Sequence, residues 1–229
     1  MDTISYLERR DRLETYFDRT AVEAWSRLTS DAPVGRIRAT VRAGRDGMRG
    51  TLLGWLPDDL RGRRLLDAGC GTGMLALEAA RRGAEVVAID LSPKLVGLAR
   101  ERMPAGVDID FRVGDMLDPA LGRFDHVVAM DSLIHYHAGD MSRAVAALAA
   151  RTEGSVLFTF APRTPALTAM HAVGKLFPRG NRAPAIEPVR EQGLRSLLTA
   201  GIAGWRAART HRISSGFYTS QAMELVPHG

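Results

Sequence analysis

The stretch LLDAGCGTG, Leu65 to Gly73, decides how the rest of the chain is read. A short apolar run passes into a helical pattern, GMLALEAARRG, through glycines at 69, 71 and 73. Glycine there permits positive φ and, lacking a Cβ, lets the backbone approach a ligand closely. A strand, turn and helix of this kind lie at the carboxyl edge of a parallel sheet, where open α/β folds bind ligands. A dinucleotide loop, G-x-G-x-x-G, would need its third glycine where Met74 stands. The spacing is instead D-x-G-x-G-x-G, with Asp67 ahead of the turn. A carboxylate beside the loop repels a pyrophosphate and suits a ligand that carries an ammonium group, which disfavours a nicotinamide-dependent oxidoreductase.

Outward from the turn the chain alternates. EVVAID, DIDFRVGD, FDHVVAMD and SVLFTFAP read as strands, and SPKLVGLARERM and SRAVAALAART as helices, the first with Ser92 as N-cap and Pro93 at its first position. Such alternation argues for a parallel sheet covered on both faces. Two strand-like runs near the end, 205–213 and 217–226, have no helix between them and are expected to pair antiparallel at the sheet's edge. The first sixty residues are helical in texture: Tyr6, Leu13, Tyr16, Phe17 and Trp25 recur at helical spacing, and arginines at 36, 38, 42, 45 and 49 mark a second segment. Most of those arginines are expected to form a solvated face, with one or two meeting an anionic ligand. Residues 1–60 are expected to be a helical cap over the cofactor and 61–229 the catalytic core. A segment with five prolines, about 162–190, is expected to be an inserted lid.

Composition sets outer bounds. Hydrophobic residues make up 45% and charged residues 25% of the 229, ordinary values for a soluble globular protein. The net charge of +5 favours acidic partners without choosing among them. With one cysteine, Cys70, no internal disulfide forms, which fits a cytoplasmic location. No apolar run approaches the ~20 residues that span a bilayer, and the start, MDTISYLERRDRLE, lacks an apolar leader. Peripheral membrane contact is left open.

The DAGCGTG spacing resembles motif I of the Rossmann-like methyltransferases, whose cofactor S-adenosylmethionine bears a sulfonium and an α-amino group. Asp90, with Leu91 beside it, ends the second strand 17 residues after Gly73, close to the ~20-residue interval of a ribose-binding carboxylate. Asp115 ends the third strand and resembles the acidic position that meets the adenine amino group, with Met116 placed to cover the ring. After the fourth strand comes MDSLIHYH, Met130 to His137. It lacks the Asn-Pro-Pro-Tyr type of sequence that holds planar nitrogens, which argues against a nucleic-acid substrate. His135 and His137 form H-x-H, but no third ligand of the kind a catalytic zinc needs is evident nearby, so no protein-bound metal is expected. His137 is read as a hydrogen-bonded loop residue.

Together GCGTG, MDSLIHY, YFDRTAVEAW and FTFAPRTPALTAMHAVGKLFPRGNRAPAI are similar to the magnesium-protoporphyrin IX O-methyltransferases of (bacterio)chlorophyll biosynthesis. The resemblance spans nearly the whole chain and implies an α/β Rossmann-like methyltransferase fold with an antiparallel C-terminal edge strand. It also implies methyl transfer from S-adenosylmethionine, leaving S-adenosylhomocysteine, to one propionate of Mg-protoporphyrin IX, whose magnesium enters with the substrate. The alternative is methylation of another small-molecule acid, amine or quinol. Carried over by position, Tyr16 and His135 are the acid/base pair. Asp67, Gly69, Gly71, Gly73, Asp90, Leu91, Asp115, Met116 and Met130 are expected at the cofactor. Met170 and Phe177 would wall the porphyrin, with Arg163, Arg179 and Arg182 at its rim; a lid packed on the core, with solvated arginines, accounts for this segment equally well. The resemblance further implies work near photosynthetic membranes and handover from the porphyrin-binding subunit of magnesium chelatase.

Overall fold

The structure, a computed structural model, describes residues 4–18, 29, 35–163 and 186–228. Its strands are β1 (Arg64–Ala68), β2 (Glu85–Asp90), β3 (Asp110–Val113), β4 (Phe124–Ala129), β5 (Thr152–Phe160), β6 (Trp205–Ser215) and β7 (Tyr218–Pro227). They form one sheet in the order β3-β2-β1-β4-β5-β7-β6. The first five are parallel; β7 pairs antiparallel with β5, and β6 antiparallel with β7. The C-terminal hairpin therefore supplies two strands, with β7 inside and β6 at the edge. The order reverses at β1, whose neighbours are β2 and β4, so a crevice opens outside the carboxyl ends of these strands.

The helices are α1 (Ile4–Tyr16), α2 (Arg36–Trp55), α3 (Met74–Arg81), α4 (Pro93–Arg102), α5 (Ala138–Ala149) and α6 (Glu191–Gly201). The α4 start is capped as its sequence predicts: Ser92 Oγ accepts from the Leu95 N–H at 3.2 Å, and Pro93 occupies the first turn, where its missing N–H costs nothing. β5 begins at Thr152, earlier than its apolar run, because Thr152 pairs with Phe124 across a register shift. Those polar residues show no alternation, so the sequence hides them.

α2 is built into the core. Met48, Leu52 and Leu53 are buried in one cluster with Leu65, Ala76, Ala88 and Leu157. The expected boundary near residue 60 therefore does not coincide with an edge of the hydrophobic core. α1 instead crosses the carboxyl-end rim. Tyr6 and Leu13 are buried there, Tyr6 stacks on Tyr136 at 4.9 Å, and Ser5 donates to Asp140.

Candidate active site

The glycine turn, the ends of β2 and β3, the loop after β4, and faces of α1 and α2 enclose one cavity. Gly69 and Gly71 have φ of 87° and 54°, values that an L side chain rarely tolerates. A Cβ on Gly69 would lie 2.4 Å from Ser132 Cβ, whereas one on Gly71 would meet nothing within 4 Å. The first glycine thus lets the loop pack against the β4 exit, and the second bares backbone to the cavity. Gly73, also at positive φ, brings the start of α3 against Phe111 and Ala99. The turn is pinned to β2 by the Gly69 and Cys70 N–H groups, which both donate to the Ile89 carbonyl.

Two carboxylates sit beside the turn. Asp67 is 2% exposed and accepts the Ala76 N–H at the start of α3. Burial, reinforced by the negative charge of Asp90, pushes its carboxyl up to about 7. Asp90 accepts from the Gly71 N–H at 2.8 Å and the Ser92 N–H at 3.0 Å. Burial outweighs these bonds and raises its carboxyl above the usual range. Each oxygen keeps a second lone pair, which suits a ribose diol. Leu91, Met116 and Ile89 supply an apolar wall nearby, and Met130 lines the side toward β4. The bared backbone at Gly71, the Asp90 acceptors, the apolar wall and the buried acid at Asp67 fit an adenosine joined to a cationic amino acid.

Asp115 is placed differently from its neighbours. Its carboxylate takes the Tyr6 hydroxyl at 2.9 Å, the Leu117 N–H at 2.9 Å and Arg10 at 3.3 Å, while Gly114 and Met116 on either side line the cavity. It docks α1 on the sheet.

Across from the glycine turn, Leu133–His135 forms a single 3-10 turn. Ser132 Oγ donates to the Ala68 carbonyl at 2.8 Å, tying this turn to the end of β1. His135 is 7% exposed and lines the cavity. Its ring meets the edge of Phe17 at 5.9 Å, and Phe17 meets Tyr16 at 5.3 Å. The structure thus connects Tyr16 and His135 through Phe17, the member of the YF pair that lines the cavity. Burial raises the Tyr16 phenol above its ordinary value, so it keeps its proton at neutral pH. His137 is hydrogen-bonded to Arg9, and its Nδ1 lies 3.2 Å from Glu187 Oε2. Among the described residues, no cluster of three or more His, Cys, Asp or Glu side chains is arranged to hold a metal ion.

Two features go beyond the sequence reading, which expected one or two of the α2 arginines to meet an anionic ligand. Arg42, Arg45 and Arg49 line the cavity from α2; their spacing of three and four residues, one helix face, was the available signal. Asp131 has φ 53°, unusual outside glycine, and is held by Arg45 at 2.6 Å together with Thr159, Tyr218 and Ser220. These partners hold a residue whose backbone alone would not choose that conformation. Arg163 is exposed and lines a separate groove with His137, Glu187 and Arg190. Met170, Phe177, Arg179 and Arg182 lie outside the described residues.

The chain matches a family model described as Magnesium-protoporphyrin IX methyltransferase C-terminus over residues 129–227, and a Methyltransferase domain model over 65–153. The magnesium-protoporphyrin O-methyltransferase of Rhodobacter capsulatus is 50% identical over 97% of this chain and 98% of its own length. The crystal structure of magnesium protoporphyrin IX methyltransferase from Synechocystis PCC 6803 with bound SAH superposes with a TM-score of 0.84, at 30% identity, over 96% of this chain and 100% of that one. The same enzyme with bound SAM gives a TM-score of 0.78 at 27% identity, over 99% and 100%. With half of its residues identical to such a relative over nearly the whole of both chains, and with the same fold in a solved relative, the chain belongs to the magnesium-protoporphyrin O-methyltransferase family.

Proposed function

We propose that this chain esterifies one propionate of Mg-protoporphyrin IX with the methyl of S-adenosylmethionine, and that the cavity described above is where transfer occurs. The observation that carries the reading is the junction at Ser132. It joins the exit of β4 to the Ala68 carbonyl and packs against Gly69, so the donor loop and the acceptor turn are ordered against each other.

The bound cofactor supplies a methyl made electrophilic by the sulfonium. The chain's own residues then have three tasks. Asp67 and Asp90 hold the cationic and ribose ends, and Leu91 and Met116 enclose the base. Arg42, Arg45 and Arg49 line the opposite wall, where Arg45 is paired with Asp131 and Arg49 with Asp46, and the row gives that wall a cationic character suited to carboxylates. The third task is at the nucleophile. A propionate has an ordinary pKa near ~4.3, so at neutral pH it is already ionised in water. Entry into an apolar pocket raises that value and strips the water that would otherwise blunt attack. His135 accepts any proton the desolvated acid retains, and Tyr16 donates to one oxygen to aim the other. Orientation of this kind supplies ~7–11 kcal/mol in favourable systems.

Arg163, Arg179 and Arg182 take the propionate that is not methylated, and Met170 and Phe177 cover a porphyrin face. α1 covers the cofactor. We infer further that substrate arrives from the porphyrin-binding subunit of magnesium chelatase and that contact with membranes is peripheral. The net charge of +5 supports attraction to anionic surfaces, and no described helix is long and apolar enough to cross a bilayer. The deciding assay incubates purified protein with labelled S-adenosylmethionine and Mg-protoporphyrin IX, followed by separation of the porphyrins. A labelled monomethyl ester is expected, and label in no porphyrin product would end the reading.

A further inference from the structure

Three segments far apart in the chain meet on one guanidinium outside the cavity. Arg9, within α1, donates through Nη1 to the His135 carbonyl at 2.6 Å and to Glu187 Oε1 at 2.8 Å. Its Nη2 lies 2.8 Å from His137 Nε2. A guanidinium has no acceptor, so this Nε2 accepts and the ring carries its proton on Nδ1. Nδ1 in turn faces Glu187 Oε2 at 3.2 Å. Glu187 completes the circle with its backbone N–H on the Ile134 carbonyl at 2.9 Å. The side chains of Arg9 and Glu187 are only 23% and 26% exposed, so these charge-assisted bonds are partly shielded from water and salt.

Two of these Arg9 bonds land on the turn that carries His135 or immediately after it, and the third goes to Glu187, whose own N–H is bonded to that turn at Ile134. The carbonyl of the last residue in a one-turn 3-10 helix finds no acceptor role within that turn. Arg9 takes it up. Neither Arg9 nor Glu187 lines the cavity, whereas His135 does.

We propose that Arg9 is a positioning residue for methyl transfer: by holding the His135 carbonyl, braced against Glu187 and His137, it fixes the His135 ring toward the reacting carboxylate. The proposal rests on the reading of His135 given above. It also accounts for arginine at this position, since one planar fork serves three acceptors, whereas a lysine ammonium is a point charge on a flexible stem. A displacement of about 1 Å at a reacting group can cost on the order of a hundredfold in rate, so a small release of the turn is measurable.

The test compares Arg9→Lys, Glu187→Gln and His135→Ala in the full chain, singly and as Arg9→Lys/His135→Ala and Glu187→Gln/His135→Ala doubles. Steady-state kinetics, calorimetric cofactor affinity and thermal midpoint are measured for each. Arg9→Lys is expected to keep cofactor affinity within about twofold while kcat falls about ten- to a hundredfold. In the His135→Ala background the same change should alter kcat by less than about twofold, because the group through which Arg9 acts is gone. If Arg9→Lys fails to fold, Glu187→Gln carries the same comparison, with a loss of about three- to tenfold expected. Parental kcat in Arg9→Lys beside a slow His135→Ala overturns the proposal and leaves the His135 reading standing. A His135→Ala variant as fast as the parent overturns both. Equal losses in the two backgrounds place the effect of Arg9 elsewhere and overturn the proposal alone.

Discussion

Asp67 is a buried acid that accepts a hydrogen bond from the Ala76 N–H, a neutral donor. With its carboxyl raised to about 7, the folded chain binds a proton that the unfolded chain has already lost above the ordinary value of ~3.9. The sign follows: this residue's contribution to stability is present below about pH 4 and is lost as pH rises through about 7. A cationic ligand prefers the ionised form, so cofactor affinity should climb with pH. From pH ~6 to ~8 the ionised fraction of such a group rises about tenfold, and calorimetry should show affinity rising by a similar factor. Asp67→Asn should bind more weakly, flatten that slope, and be at least as stable as the parent at pH ~8. Parental affinity and slope in the variant would make Asp67 purely structural. Asp67 and the glycines were legible because their chemistry is local, one aspartate and three glycines in a fixed spacing. Asp131 and Arg9 were not, since their partners lie 28 to 89 and 126 to 178 positions away. Nothing near either residue in the sequence signals what holds it.

The alternation of strands and helices gave the parallel sheet and its antiparallel ending, because apolar periodicity is set element by element. It gave α2 only as a helix. What fixes α2 on the sheet is a close approach: a Cβ on Gly44 would lie 2.5 Å from Tyr218 Cδ1. Tyr218 cannot readily yield, since it is buried with its hydroxyl on Asp131 at 3.2 Å. Alanine in a helix interior is ordinarily better than glycine by ~1 kcal/mol, but overpacking of this kind costs ~1–3 kcal/mol. Gly44→Ala should therefore destabilise by up to about 2 kcal/mol in urea unfolding. Gly50, exposed on the same helix with nothing within 4 Å of its would-be Cβ, should gain about 0.5–1 kcal/mol as alanine. The pair separates packing from propensity within one element. If Gly44→Ala were also stabilising, α2 would be a loosely seated cover, and the arginine row that it carries into the cavity would lose its support.

Across the whole molecule the cavity walls come from α1, α2, the glycine turn and the β4 exit, so a ligand there ties together segments from residue 13 to residue 136. Binding that favours the native state adds RT ln(1 + [L]/Kd), about 2.7 kcal/mol at a hundredfold excess over Kd. For a chain of this size each kcal/mol moves the midpoint by roughly 2–4 °C. S-adenosylmethionine at that excess should therefore raise the thermal midpoint by about 5–10 °C. Asp90→Ala removes the acceptors that the Gly71 and Ser92 N–H groups hold in place. If it weakens binding a hundredfold, the same cofactor concentration contributes only about 0.4 kcal/mol, a shift near 1 °C. The ligand-free midpoints of the two proteins serve as the reference for each shift, which separates damage to the fold from damage to the site. Equal shifts in parent and variant would show that the cofactor is held away from the Asp90 end of the crevice, and a parent that gains nothing would place its site outside this cavity.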